Sequence, residues 1–374
     1  MAATDTIYQN HLKNGYPVQR DAGALIITDT SCYQLSEETT WLIAGLPDNG
    51  GKELYFNALS GLGLNEPQKI FDKLVALGAL REKEKRSWKD ILGMILTPKI
   101  KLFSAQFQEK FFQFFEVRAV EINKVVQILA VISVLGLSWG AALLIAGPKN
   151  VLPISLTGEA NGFVVFLLVM AGSLIHELGH SFAAMVSGIG LRPIGFSVYL
   201  IYPVFYTNVS GIEKVSLWKK VLIDCGGFVF QGVFLFMLLL LCTFTGSSTV
   251  AESARWIVVI VLFNLNPFFR TDGYWLYKDV YSEFNTRQWA RTTHYLYLAA
   301  FAAFSGYFLW RICGRVGYIW HGLNMLMHSP RYFFSGGYRI VLCAYFILVG
   351  FAGGLGRFKE GHQEWKDLTN SQGE

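Results

Sequence analysis

His176 and His180 stand four residues apart in the run His176-Glu177-Leu178-Gly179-His180. On an α-helix, positions i and i+4 share a face, so both imidazoles can point at one ion. Two nitrogen ligands and a carboxylate leave a fourth position open for water on zinc, so one Zn2+ is the expected cofactor. Zinc draws the pKa of water down towards about 7. Glu177, beside the first ligand, is placed to take that water's proton and pass it to a leaving amine. A nitrogen–oxygen set also accepts other divalent ions.

These three ionisable groups lie in a stretch, 160–190, that holds no other charge. Ionisable side chains inside hydrocarbon are costly and point to function by default. A third ligand is then sought in another apolar segment. The run Asn264-Leu265-Asn266-Pro267-Phe268-Phe269-Arg270-Thr271-Asp272-Gly273 supplies Asp272. His176 lies 17 residues after Glu159, the last charge before its segment, and Asp272 lies 17 after Arg255. At 1.5 Å per helical residue both groups sit roughly 25 Å below the outer surface. Asp224 is the rival ligand; an ion pair with Lys219 or Lys220 at a helix end is its competing explanation. His294, His321 and His328 read as packing or interfacial residues, and His11 and His362 as exposed.

The elements that must position these groups are apolar helices. Six candidate spans run at about 125–148, 162–186, 221–244, 256–275, 292–310 and 338–355, each near the length a bilayer requires. An even number places both termini on one side. Basic residues after spans two and four and in the tail make that side cytoplasmic. Residues 311–339 carry Arg311, Arg315, Arg331 and Arg339 and fall outside, against that rule. Between spans two and three, residues 191–211 are rich in Tyr, Val, Ile and Phe and punctuated by Pro193 and Pro203. Such a stretch reads as a β-hairpin or as a re-entrant loop packed in the core.

Composition agrees with a membrane body. Of 374 residues, 52% are hydrophobic and only 16% charged, with a net charge of +5. This excludes a disordered chain and argues against a soluble single-domain enzyme and against nucleic acid as a partner. Residues 1–123 hold 29 of the 59 charged side chains. The expected division is therefore a cytosolic head at 1–86, an interfacial connector at 87–123, a transmembrane domain at 124–356 and a cytosolic tail at 357–374. No apolar signal-peptide region opens the chain. Five scattered cysteines include no Cys-x-x-Cys pair, so neither a disulfide framework nor a thiolate zinc site is indicated. Within the head, 23–28 reads as a strand and Ser36 as the cap of a helix through Trp41. A second helix should begin at Asn65 and Pro67, present Ile70, Leu74 and Leu77 on one face, and stop at Gly78. The Phe-rich connector reads as an amphipathic helix on the bilayer surface or as a plain linker packed on the membrane domain.

The sequence H-E-x-G-H, followed in a later apolar segment by N-x-x-P-x-x-x-x-D-G at Asn264, Pro267, Asp272 and Gly273, resembles the site-2 protease family of intramembrane zinc metalloproteases. That resemblance covers about 160–280. It implies that His176, His180 and Asp272 bind zinc, that Glu177 is the base, and that Asn264, with Asn266 beside it, binds substrate or its developing oxyanion. It also implies a membrane-embedded β-hairpin at 191–211, where Tyr202 and Tyr206 would line an edge that holds substrate as an extended strand. Thr271 stands where the family commonly has Leu, and Cys225-Gly226-Gly227 where many relatives have Gly-Pro. The head, through YQLSEETTWLIAGLPDNGG and IFDKLVALGALREK, is similar to PqqD-like winged-helix modules, which bind leader peptides of ribosomally made peptides.

Taken together, the expected fold is a mainly α polytopic membrane protein with a small α+β winged-helix-like N-terminal domain. It would lie in a bacterial cytoplasmic membrane with both termini inside. The expected activity is maturation of a peptide precursor recruited by the head. Proteolysis of a membrane-anchored regulator, or a non-proteolytic role in metal transport or peptide export, are the alternatives.

Overall fold

The computed structural model describes residues 6–13, 16–20, 23–27, 32–82, 99–114, 122–199, 202–209, 211–212, 215–285, 287–314, 316–333, 337–344, 347 and 360–361. The fold is mainly α. The chain divides into two compact units, Met1–Phe115 with Ala184–Val215 and Glu116–Ala183 with Ser216–Glu374.

The first unit opens with β1 (Ile7–Asn10), β2 (Tyr16–Arg20), β3 (Gly23–Ile27), β4 (Cys32–Leu35), α1 (Glu37–Gly45), β5 (Asn49–Gly51), α2 (Lys52–Gly61), α3 (Pro67–Ala76) and β6 (Leu80–Glu82). The strands form two antiparallel sheets, β5-β1-β6 and β2-β3-β4. Ser36 caps α1 as its type dictates, its side chain accepting from Thr39 N. Pro67 opens α3, and Glu66 before it takes a left-handed conformation at φ 63°; proline disfavours the right-handed helical region for its predecessor. Gly78 ends the helix at φ 72°.

The buried face of α3 differs from the one expected. Phe71 and Leu74 are buried, whereas Leu77 is 60% exposed. Phe71 sets the stripe, because its ring meets Tyr8, Tyr55 and Phe56 at 4.9, 5.9 and 5.4 Å between centroids. Tyr55 is fully buried, donates to Tyr8 O, and is pushed up to about 12 by that burial. Helix α2 had no counterpart among the expected elements. Residues 83–86, the end of the expected head, lie outside the described residues.

The same unit holds a second architecture. Strands β8 (Ile194–Tyr199) and β9 (Tyr202–Thr207) pair antiparallel as a hairpin, as the residue types at 191–211 suggest. The connector holds a helix, as its Phe-rich stretch suggests, and before it adds an unexpected strand, β7 (Lys99–Phe103), which pairs with β8 to give the order β7-β8-β9. Its Lys-Ile-Lys-Leu alternation has the period of a strand. Helix α4 (Ala105–Phe114) follows, with Ser104 Oγ accepting from Phe107 N. Gln108 on α4 donates to Arg192 O at 2.6 Å and ties the helix to the approach of β8. Residues 87–98 and 115–121 of the connector lie outside the described residues.

The second unit comprises α5 (Ile122–Ala146), the short α6 (Pro148–Val151), α7 (Gly162–Val186, to Ala183), α8 (Leu217–Thr245), α9 (Ser248–Asn264), α10 (Asp272–Phe284), α11 (Gln288–Cys313) and α12 (Val316–His328). Among the described residues three helices are long and apolar enough to cross a membrane: Asn123–Ala146, Gly162–Val186 and Leu217–Thr245. Their shared core includes Leu143, Val169, Leu235, Leu239 and Ile257. Asn161 caps α7 by accepting from Phe163 N and Val164 N.

The expected fourth span, 256–275, is not one helix. Helix α9 ends at Asn264 and α10 begins at Asp272. Pro267 is the reason, since it has no amide hydrogen and disfavours the helical conformation in the residue before it. Helix α11 covers the fifth expected segment but is not one of the three span-like helices. Of the sixth, 338–344 is helical and most of the remainder lies outside the described residues, as does His362 in the tail.

Candidate metal centre

Helices α7 and α8 approach each other at glycine. A Cβ on Gly179 would fall 2.2 Å from Gly226 O, and one on Gly226 would fall 2.5 Å from Gly179 O. Only residues without side chains allow that contact. The glycine inside H-E-L-G-H therefore has a packing duty. It brings the two histidines against α8, and Gly226, in the Cys-Gly-Gly run, supplies the other half.

Both histidines are buried, at 3% and 6% exposure. Their rings are 4.7 Å apart, with 3.1 Å between the two Nε2 atoms. Asp272 completes the group: its Oδ2 lies 2.8 Å from His176 Nε2 and its Oδ1 3.5 Å from His180 Nε2. One donor atom from each of the three lies within 4.8 Å of the others.

The donor set fits a small divalent ion. In a tetrahedral site with bonds near 2.1 Å, ligand atoms stand about 3.4 Å apart. The observed separations, 2.8 to 3.5 Å, bracket that value. Space for the ion comes from Gly227, where a Cβ would lie 2.6 Å from both Nε2 atoms. His180 Nδ1 donates to Ile223 O at 2.8 Å, which leaves the lone pair of that ring on Nε2.

Asp272 reaches the histidines through a built turn. After α9, Asn266 Oδ1 accepts from Phe268 N at 2.8 Å, and Thr271 Oγ1 donates to Asn266 O at 3.0 Å. This hydroxyl bond gives Thr271 a use that Leu would lack. Tyr297 on α11 donates to Pro267 O at 2.8 Å, and Phe268 packs against Tyr297, Phe301 and Phe304. Gly273 closes the turn, because a Cβ there would stand 2.2 Å from Leu265 O. Asp272 opens α10, where a carboxylate is favoured by the helix dipole.

The other sequence candidates fall as follows. Glu177 is half-buried on α7 beside the first ligand. Asn264 ends α9 and is half-buried, while the Oδ1 of Asn266 serves the turn. Asp224, the rival ligand, is outside the donor group. It is 6% exposed and its Oδ2 has no hydrogen-bond partner among the described residues. His294 is a packing residue, stacked on Tyr281 and hydrogen-bonded to Tyr277 at 2.6 Å. His321 and His328 are exposed, and His11 is half-buried. Tyr202 and Tyr206 belong to the first unit: Tyr202 opens β9 opposite Tyr199, and the ring of Tyr206 covers Gly195 across the hairpin.

The sequence reading missed Gly227 and Gln231. Gln231 is fully buried on α8, and its Oε1 lies 3.1 Å from His176 Nδ1. Its signal was present, since it is the single polar residue in the apolar run 226–241. Comparison with family models, with curated proteins and with solved structures finds no match.

Proposed function

We propose that the chain is a zinc-dependent endopeptidase of the site-2 protease type, acting on peptide bonds in or beside a membrane. The observation that carries this reading is the meeting of Asp272 with His176, 96 residues away in the chain, and with His180, at 2.8 and 3.5 Å. A pair of histidines at helical spacing with an adjacent glutamate becomes a hydrolytic set once a carboxylate joins it. The three span-like helices support a membrane setting, and α7 carries both histidines and Glu177.

When bound, zinc supplies a Lewis acid that polarises the scissile carbonyl and acidifies water. Glu177 takes the proton from the attacking water and delivers it to the leaving amine nitrogen. His176, His180 and Asp272 hold the ion. Asn264, at the end of α9, binds the substrate chain or the developing oxyanion. Strand β9, which carries Tyr202 and Tyr206, offers an edge suited to an extended peptide. The substrate is a ribosomally made precursor whose leader is held by the N-terminal α+β module. The protein is a multi-pass component of a bacterial cytoplasmic membrane.

The test compares wild type with Glu177→Gln in nanodiscs, using synthetic leader-bearing peptide precursors as substrates. Loss of cleavage with one zinc retained per chain supports the assignment. Cleavage that survives the substitution rejects Glu177 as the base.

A further inference from the structure

We propose that Gln231 is a positioning residue for the metal site: it holds His176 as the Nδ1–H tautomer and so keeps the Nε2 lone pair directed at the ion. The proposal rests on the reading of His176, His180 and Asp272 as metal ligands.

Three positions on α8 at successive steps of four, Ile223, Gly227 and Gln231, form one stripe facing the two histidines. As residue number rises along α7 it falls along α8, with Gly179 against Gly226. Each stripe position meets the ligand rings differently. The carbonyl of Ile223 accepts from His180 Nδ1 at 2.8 Å. Gly227 leaves the space in front of both Nε2 atoms. Gln231 Oε1 sits 3.1 Å from His176 Nδ1. A carbonyl oxygen can only accept, so His180 carries its proton on Nδ1. His176 needs the same arrangement to ligate, because an ion between the rings and Asp272 takes the Nε2 lone pair where a proton would otherwise be shared with the Asp272 carboxylate. Ligand imidazoles are commonly fixed through the other ring nitrogen in this way, and loss of such a partner weakens metal binding.

Packing does not account for a glutamine here. Gln231 is fully buried, and its Nε2 has no hydrogen-bond partner among the described residues. A half-satisfied amide in an apolar helix core is worse for stability than an apolar side chain of similar shape. An unbranched apolar residue such as Met would fill the space without that penalty. The amide therefore sacrifices fold stability for the hydrogen bond to His176, and this opposition of signs is what an experiment can read.

The full-length chain in detergent is stripped of metal and titrated with Co2+ and Zn2+ against a chromophoric chelator. Melting of the metal-free protein is followed in parallel. Gln231→Met should bind metal about 10- to 100-fold more weakly than wild type, with altered Co2+ visible bands, while its metal-free form melts at or above the wild-type temperature. Gln231→Glu keeps an acceptor at the same place and should bind at or above wild-type affinity. Equal affinity of wild type and Gln231→Met overturns the inference alone. So does a loss of affinity matched by a lower metal-free melting temperature, which marks a packing role. Wild type that binds no metal overturns this inference and the metal-site reading together.

Discussion

A Cβ atom on Gly227 would stand 2.6 Å from the Nε2 of His180. The position is closed to any side chain for the same reason that it is open to an ion. Gly227→Ala should therefore lower zinc affinity more than about tenfold, a loss as large as that from removing a partner of a ligand, and abolish cleavage at ordinary zinc levels. Gly179→Ala is the contrast. Its Cβ would meet Gly226 O at 2.2 Å, so its first effect is on the packing of α7 against α8, costing about 1–3 kcal/mol. Zinc titration and thermal melting of the two variants separate these effects.

Asp272 and Asp224 were rivals for the third ligand, and their surroundings now differ. Asp272 lies in hydrogen-bond contact with His176. Asp224 is buried with an oxygen that no described residue engages. Asp272→Asn removes the anionic ligand and should release the zinc. Asp224→Asn should keep one zinc per chain, because that carboxylate lies outside the donor group. Metal content of the two purified variants decides the matter.

His176, His180 and Asp272 were legible in the sequence because helical spacing is local and an ionisable group stands out in an apolar run. The path that brings Asp272 to the histidines was not. Residues 256–275 look uniformly apolar, so they read as one span, whereas Pro267, Asn266 and Thr271 break them into helix, turn and helix. Strand β7 stayed hidden because its partner, β8, lies some 90 residues further on, and nothing local announces such a pairing. Gln231 was passed over because a lone amide in an apolar helix carries no spacing signal; its meaning comes only from the ring it faces on α7.

Removal of the metal provides a further check. An ion that binds only the folded chain stabilises it by RT ln(1 + [L]/Kd), about 2.7 kcal/mol when free zinc is a hundredfold above Kd. Chelator should lower the melting temperature of wild type, and readdition of zinc should restore it. The same treatment should leave Asp272→Asn unchanged. A wild-type melting temperature indifferent to chelator and zinc would remove the ion from the folded state.

The turn after α9 gives a test of how firmly Asp272 is held. Gly273 lies against Leu265 O so closely that a Cβ would stand at 2.2 Å, and a backbone carbonyl cannot rotate away as a side chain can. Gly273→Ala must move the start of α10, and with it Asp272. Tyr297→Phe removes the hydroxyl bond to Pro267 O, a side-chain tether on the turn whose loss leaves the backbone contact at Gly273 in place, at a cost of about 1 kcal/mol. If the turn sets the ligand geometry, zinc affinity should fall sharply in Gly273→Ala and little in Tyr297→Phe, although both lower thermal stability. Equal zinc affinity in the alanine variant and wild type would mean that the turn yields without shifting the carboxylate, and that the ligand position is determined from the histidine side instead.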